Sequence, residues 1–202
     1  MNQEQVIVKN FELFKTQAAK LGTRAGTILE FIDSNAERIM LAPASTKREF
    51  TCCHPGGLVE HSLRVLQNSA KLRQAYNLAD TVPTSSVLLV ALFHDFGKIG
   101  TENKEYYIDN ASDWHRDKLG IYYNVAERFQ HVQVNQLSLF QLSKNKVEID
   151  FDEWYAISTV GNKTQREDQP VHSEPWLAVL LQQAVKAACI QGKNKEKAVP
   201  IQ

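Results

Sequence analysis

A run of seven apolar residues that ends in a polar pair places the strongest constraint on the fold of this chain. Val87 through Phe93 carry no polar side chain, and His94 and Asp95 follow directly. A segment that is apolar on every side belongs in the interior of a fold. Periodicity does not separate a buried helix from a buried strand over so short a run, but the helical spacing of the neighbouring segments favours a helix. The sequence therefore predicts a central helix with a polar pair at its carboxyl end.

The neighbouring segments repeat apolar residues with helical spacing. One stripe runs from Leu58 to about Leu72 and contains His61, so this helix is expected to turn that imidazole inward. Further helices are predicted at about residues 3–21, 26–40, 84–93, 117–130, 133–143, 151–160 and 175–191. Ser173 is the expected N-cap of the last of them. Strands are expected to be minor, so the predicted fold class is all-α, a compact helical bundle.

The length of 202 residues suits a single domain. The sequence contains no internal repeat, no low-complexity tract and no interdomain linker. We therefore expect one domain over residues 1–202, with a core at about 40–190, an N-terminal helix at 3–21 and a frayed tail at 192–202.

Charge and cysteine content argue against several classes of protein. Lys plus Arg and Asp plus Glu are both 23, so the net charge does not favour binding to DNA or to a membrane surface. An anionic substrate has to be bound by a local group of positive charges. The three cysteines form neither an even disulfide framework nor a CxxC zinc pattern, which favours a reducing compartment. The sequence shows no signal-peptide pattern and no apolar run long enough for a membrane span, so we expect a cytoplasmic protein without a membrane partner.

The position of His94 and Asp95 predicts a buried metal. A carboxylate that directly follows a buried apolar run is costly unless a cation or hydrogen bonds compensate its charge. The carbonyl groups at the end of a helix add partial negative charge there, which also favours a cation. His61 independently presents an imidazole on an apolar helix face. The alternative is an aspartate at a helix end that simply reaches solvent.

Two motifs carry a resemblance to a known family. They are GGLVEHSLRVL at residues 56–66 and ALFHDFGKIG at residues 91–100, and together they resemble the HD superfamily of metal-dependent phosphohydrolases, whose core is a helical bundle. The resemblance is closest to the subgroup that contains the HD-type bacterial 3'-to-5' exoribonuclease and small phage-encoded HD proteins. It covers about residues 40–190 and implies a helical bundle of the HD-domain type.

The resemblance implies roles for four residues. His61, His94 and Asp95 match the family's metal ligands, and Asp95 would be the carboxylate able to bridge two metals. Asp95 and Lys98 would be catalytic, because a lysine beside the metal can balance phosphate charge and support the leaving oxygen. The alternative for Lys98 is a solvated lysine at a helix end.

Four further residues are candidates on looser grounds. His131 falls where relatives with a second metal often carry a histidine ligand, although a helix-surface histidine fits as well. Arg48 and His54 lie in the segment that approaches the first ligand helix and are candidate phosphate contacts, with surface solubility as the alternative for Arg48. His115 lies in a polar loop, where it could contact a nucleotide substrate or be an ordinary loop histidine.

The chain departs from the family pattern at two ligand positions. The family's last ligand is an aspartate after an alanine on the final core helix, whereas Val185 follows Ala184 here. Upstream, the segment AISTVGN lacks the histidine and the carboxylate that relatives often carry before the glycine. Either the site is remodelled around the remaining ligands, or the protein is a catalytically impaired module that binds a nucleotide or a protein partner.

The resemblance implies hydrolysis of a phosphoester bond in a nucleotide or at an oligonucleotide end. The expected cofactor is one or two divalent ions, and mixed imidazole and carboxylate ligands suit manganese, iron, cobalt, nickel or zinc. The chain has no strong basic stripe, which favours a small nucleotide over a long nucleic acid, with a short single-stranded end as the other candidate. The sequence leaves a monomer and a homo-oligomer open.

Overall fold

The computed structural model describes residues 2–101, 104–161 and 174–201, and the chain is mostly helical over these ranges. The α-helices of this described part are α1 (Gln3–Ala18), α2 (Ala25–Ser34), α3 (Ala36–Leu41), α4 (Gly57–Ala75), α5 (Thr84–Phe93), α6 (Asp113–Leu119), α7 (Val134–Lys144), α8 (Phe151–Thr159) and α9 (Trp176–Gln191). Two short strands, β1 (Tyr107–Asp109) and β2 (Tyr123–Val125), pair in antiparallel register. The helical class predicted from the sequence is confirmed, whereas the predicted N-cap Ser173 lies outside the described residues.

None of the helices in the described ranges combines the length and the apolar character that crossing a membrane requires.

Helix α5 lies at the centre of the molecule, as its apolar run predicts. All of its residues from Ser86 to Phe93 are buried, and it packs against α1, α4, α8 and α9. Phe93 lies against Phe96 in the following 3-10 helix, with ring centroids 4.6 Å apart. Phe14 of α1 stacks on Phe96 with a centroid distance of 5.5 Å. Burying one such side chain stabilises a fold by about 1.5–3 kcal/mol, so this cluster anchors the carboxyl end of α5.

The loop at residues 42–57 packs its backbone against the start of α4. The Leu58 N–H donates to the Ala42 carbonyl at 3.0 Å. A side chain at Gly57 would collide with the Cys52 carbonyl oxygen, so the loop and the helix are in direct backbone contact. Because only a glycine allows this approach, the loop determines where the first turns of α4 lie.

The first two predicted helices differ from the structure at their ends. α1 ends at Ala18, and the chain turns at Gly22, where φ is +62°. The second predicted helix is divided into α2 and α3 at Asn35. The Asn35 side-chain amide donates to the Phe31 carbonyl at 3.0 Å, so a side chain satisfies an acceptor where the regular helix stops.

The helix predicted at residues 117–130 is wrong. α6 ends at Leu119 because Gly120 takes a left-handed conformation with φ +60°, and the chain then forms β2. The Tyr122 N–H donates to the Thr46 carbonyl at 3.0 Å, and β2 pairs with β1. Partners that are distant in the sequence therefore satisfy backbone groups that a helix would have satisfied locally.

The C-terminal segment is docked on α1, whereas the sequence predicts a frayed tail at 192–202. The Asn10 side-chain amide donates to the Val199 carbonyl, and the Asn10 Oδ1 atom accepts from the Ile201 N–H, each at 2.9 Å. Asn10 is 2% exposed and Ile201 is 6% exposed. The segment is ordered because a buried amide on α1 supplies both a donor and an acceptor for its backbone, while Ile201 adds apolar burial.

Candidate metal centre

His61, His94 and Asp95 come together where α4 meets the carboxyl end of α5. One ligand atom from each residue lies within 4.8 Å of the others. The Asp95 Oδ2 atom is 3.8 Å from His61 Nε2 and 3.8 Å from His94 Nε2. These distances are too long for hydrogen bonds and suit atoms that share one cation at about 2 Å from each. The cluster could therefore bind a divalent metal ion.

A second contact at Nδ1 orients each imidazole. His94 Nδ1 lies 3.1 Å from the Ala91 carbonyl oxygen. Because a carbonyl only accepts, Nδ1 carries the hydrogen and Nε2 keeps its lone pair. This Nε2 atom is buried and has no hydrogen-bond partner. His61 Nδ1 lies 3.4 Å from the Thr51 hydroxyl oxygen. A buried nitrogen lone pair that is oriented in this way fits a metal ion.

Burial keeps both imidazoles neutral. It lowers the pKa of His61 to about 3 and also lowers the pKa of His94. The neutral imidazole is the form that binds a metal. Burial by itself raises the pKa of Asp95, but the positive charge of Lys98, which also donates a hydrogen bond to the carboxylate, outweighs burial and holds that pKa well below its usual range. At neutral pH the cluster therefore offers two nitrogen ligands and an ionised carboxylate.

Lys98 links the cluster to an open cleft of about 470 Å³. Its ammonium group donates to Asp95 Oδ2, and this carboxylate raises the pKa of Lys98 although burial opposes the charge. Arg38, Tyr107 and Tyr123 also line the cleft. Carboxylates contribute to the lining as well, from Glu37, Glu105 and Asp109. The cleft has the size of a small-molecule site, with cations and aromatic rings on its walls.

Two of the predicted residues do not join the cluster. His131 is exposed and lies in a turn before α7, between the ranges of the two helices predicted around it. It is not among the clustered ligands of the described residues. His54 is 2% exposed, and its Nε2 atom lies 3.6 Å from Glu60 Oε2. Such burial does not suit the phosphate contact that the sequence suggests for His54.

The other two predicted substrate contacts, Arg48 and His115, are exposed and are not part of the lining of the cleft. Arg48 forms an ion pair with Glu196 and lines a separate surface depression with Arg116. His115 Nδ1 lies 2.7 Å from the Ser112 hydroxyl oxygen. The fold therefore brings together His61, His94, Asp95 and Lys98 and leaves the remaining predicted contacts elsewhere.

The final helix carries an apolar residue at the position where the resemblance of the two sequence motifs would lead one to expect a carboxylate. Val185 is partly buried and packs against the hydrophobic core. Cys189, one turn later on α9, lies near enough to Asp95 and Lys98 for their charges to act on its pKa, which burial raises. Cys189 was not predicted, although its spacing of four residues from Val185 was a signal in the sequence. Thr51 was not predicted either, because it lies in a loop without periodicity.

Comparisons with known proteins add no family assignment. No protein-family model matches the chain, and neither a curated protein nor a solved structure does. The site is therefore defined by its own geometry, in which two neutral imidazoles and a carboxylate converge beside a cleft that Lys98 borders.

Proposed function

We propose that this chain is an HD-type metal-dependent phosphohydrolase that cleaves a phosphoester bond in a nucleotide or at the end of a short single strand. The main support is the buried, unpartnered Nε2 atom of His94, which lies in one cluster with His61 and Asp95. The two sequence motifs point to the same three residues independently. The open cleft beside Lys98 supplies room for a substrate.

The clustered residues would hold one or two divalent transition-metal ions. Two nitrogen donors and one oxygen donor suit manganese, iron, cobalt, nickel or zinc better than calcium. Asp95 has two carboxylate oxygens and is the ligand that two ions could share. A bound ion of this kind lowers the pKa of a coordinated water and draws negative charge from a phosphate oxygen.

Lys98 would bind the phosphate at the border between the ligands and the cleft. Its side chain is 13% exposed and is held by Asp95, so the position of the ammonium group is defined. A charged donor in such a place neutralises phosphate oxygens and stabilises the charge that develops on the leaving oxygen. Tyr107 and Tyr123, with ring centroids 6.3 Å apart, offer faces on which a base can stack. These rings favour a nucleotide over a simple phosphate ester.

Metal content and phosphate release, measured on the same protein, test the proposal. Protein purified without chelator should contain a transition metal and release phosphate from at least one member of a nucleotide panel. His94→Ala removes the unpartnered nitrogen and should abolish turnover. His131→Ala removes an exposed histidine outside the cluster and should behave as wild type. Folded wild-type protein that is inert with all five metals would refute the hydrolase, and full turnover in His94→Ala would refute the site.

A second candidate is a module that binds a nucleotide or a protein partner without hydrolysing it. Val185 favours this candidate, because it packs against the core at the position where relatives carry the last carboxylate ligand. Calorimetric titration with the same nucleotide panel separates the two functions. Saturable binding without phosphate release supports the module, and release supports the enzyme.

A further inference from the structure

A second cluster, formed by Cys52, His54 and Glu60, has the composition of a metal site. One ligand atom from each residue lies within 4.8 Å of the others, and all three residues are buried. The Cys52 thiol donates to Glu60 Oε1 at 3.6 Å, and His54 Nε2 lies 3.6 Å from Glu60 Oε2. Tetrahedral zinc, with bonds of about 2.0–2.3 Å, holds such ligand atoms roughly 3.4–3.6 Å apart. The observed spacing matches that of ligands that share an ion.

His54 supplies an independent indication of a ligand. Its Nδ1 atom lies 3.0 Å from the Pro55 carbonyl oxygen, so Nδ1 carries the hydrogen and Nε2 presents a lone pair. The side chain is 1% exposed, and Nε2 is buried without a hydrogen-bond partner. A lone pair that faces the Glu60 carboxylate in a buried space is unfavourable, and a proton or a metal cation between the two atoms relieves the repulsion.

Glu60 is oriented by contacts that leave acceptor capacity on its Oε2 atom. Arg64 donates to Oε1 through Nε at 3.2 Å and through Nη2 at 2.8 Å, and the Val199 N–H donates to Oε2 at 2.9 Å. Arg64 occupies both lone pairs of Oε1, whereas Oε2 can accept a further interaction. Contacts of this kind commonly orient the carboxylate ligands of metal sites. Because Val199 belongs to the docked C-terminal segment, the cluster connects that segment with α4 and the preceding loop.

We propose that Cys52, His54 and Glu60 bind one divalent ion of the zinc type, at a site separate from the proposed catalytic centre. Three protein ligands leave one position for a water molecule. The ion would tie the loop before α4 to the first turns of that helix, where Glu60 directly precedes His61. The ion would thereby help to position the helix that carries the first histidine of the other centre.

Cobalt binding distinguishes the two sites. A thiolate ligand gives bound Co²⁺ a sulfur-to-metal charge-transfer absorption in the near ultraviolet, which nitrogen and oxygen ligands do not give. Metal-free protein titrated with CoCl₂ should develop this absorption, and added ZnCl₂ should remove it by displacing cobalt.

Cysteine variants assign the absorption to a residue. Cys52→Ser should abolish it, whereas Cys53→Ser, which alters the adjacent buried cysteine outside the cluster, should retain it. Cys189→Ser, on α9, should retain it as well. His94→Ala should also retain it even if phosphate release is lost, so the failure of the proposed function and the failure of this site are separate results.

Two results would overturn the proposal. One is folded wild-type protein that shows no thiolate absorption with Co²⁺. The other is absorption that persists in Cys52→Ser and disappears in Cys189→Ser, because the thiolate ligand would then lie on α9. If Cys52→Ser does not fold, His54→Gln replaces it as the test and should weaken cobalt binding at the thiolate site at least about tenfold. Unchanged affinity in that variant would count against the site.

Discussion

Replacing Ser138 of α7 by alanine should destabilise the turn that carries His94 and Asp95, the candidate metal ligands. The Ser138 hydroxyl accepts a hydrogen bond from the Gly97 N–H at 2.8 Å and lies 2.7 Å from the His94 carbonyl oxygen, to which it can donate. Ser138 is 0% exposed, so water is not positioned to replace the hydroxyl. The Val134 carbonyl, at 2.9 Å, is the competing acceptor for its single hydrogen. The variant therefore removes an acceptor and a donor from a buried turn.

The expected loss of stability follows from the buried backbone groups that lose the Ser138 hydroxyl as a hydrogen-bond partner. A buried N–H that loses its acceptor costs about 1–3 kcal/mol, and the lost hydrogen bond to a carbonyl adds about 1 kcal/mol, so the free energy of unfolding should fall by about 2–4 kcal/mol. For a chain of this size, such a loss lowers the melting temperature by roughly 5–15 °C. Displacement of the ligand turn should also weaken metal binding by about 10- to 100-fold.

Urea denaturation of metal-free protein, followed by circular dichroism, measures the change in stability. The midpoint should shift while the slope with urea concentration stays constant, since the surface exposed on unfolding does not change. Ser143→Ala, on the exposed side of the same helix, is the matched control and should change stability by less than about 0.5 kcal/mol. A Ser138→Ala variant as stable as this control would refute the idea that the hydroxyl holds the turn.

Three further predictions concern the site and the buried cysteine. Gly97→Ala should lower the free energy of unfolding by at least about 2 kcal/mol, because the added carbon collides with the Val134 carbonyl oxygen. In Gly26→Ala, the matched control, the added carbon meets nothing within 4 Å, so thermal melts should show little change for this variant and a clear loss for Gly97→Ala. Lys98→Met should lower kcat for phosphate release at least about 100-fold with metal content unchanged, and an unaltered kcat would exclude a role for this ammonium group. Burial raises the pKa of Cys52 to about 12, so in metal-free protein its alkylation by iodoacetamide at pH 8, measured by peptide mass spectrometry, should be at least about 100-fold slower than in unfolded protein. An equal alkylation rate in folded and unfolded protein would contradict the assigned burial. The thiol of the unfolded chain ionises near pH 8.5, so the burial of the protonated Cys52 thiol contributes fully to the free energy of unfolding below about pH 8.5. That contribution decreases as pH rises toward 12.

The sequence predicts the centre of the molecule because the necessary information is local. A helix that is covered on every side needs an unbroken apolar run, and α5 has one from Val87 to Phe93. The stripe on α4 likewise indicates its inward face, and His61 is 1% exposed there. Few positions in a fold accommodate both a polar pair at the end of a buried helix and an imidazole on a buried helix face. The convergence of these residues could therefore be predicted from the sequence.

Other parts of the candidate site were not predictable, because their partners are distant in the sequence. His54 meets Glu60 in the interior, although its place in the segment before the first ligand helix suggested a phosphate contact. His131 lies away from the ligands because Tyr122 and the following strand find backbone partners in Thr46 and β1. Periodicity describes which side of an element is buried, but it does not describe which element covers that side.

The sequence by itself determined a helical protein with a central apolar helix and, at the end of that helix, residues that could bind a metal. Only the tertiary structure decided what surrounds those residues: the hydroxyl of Ser138 under the turn, the cleft beside Lys98, the second cluster next to His61 and the docked tail. The physical reason is that each buried polar group requires a partner of complementary chemistry, and the chain supplies such partners from positions up to 191 residues away. Local patterns determine which groups need a partner, and packing determines which groups meet.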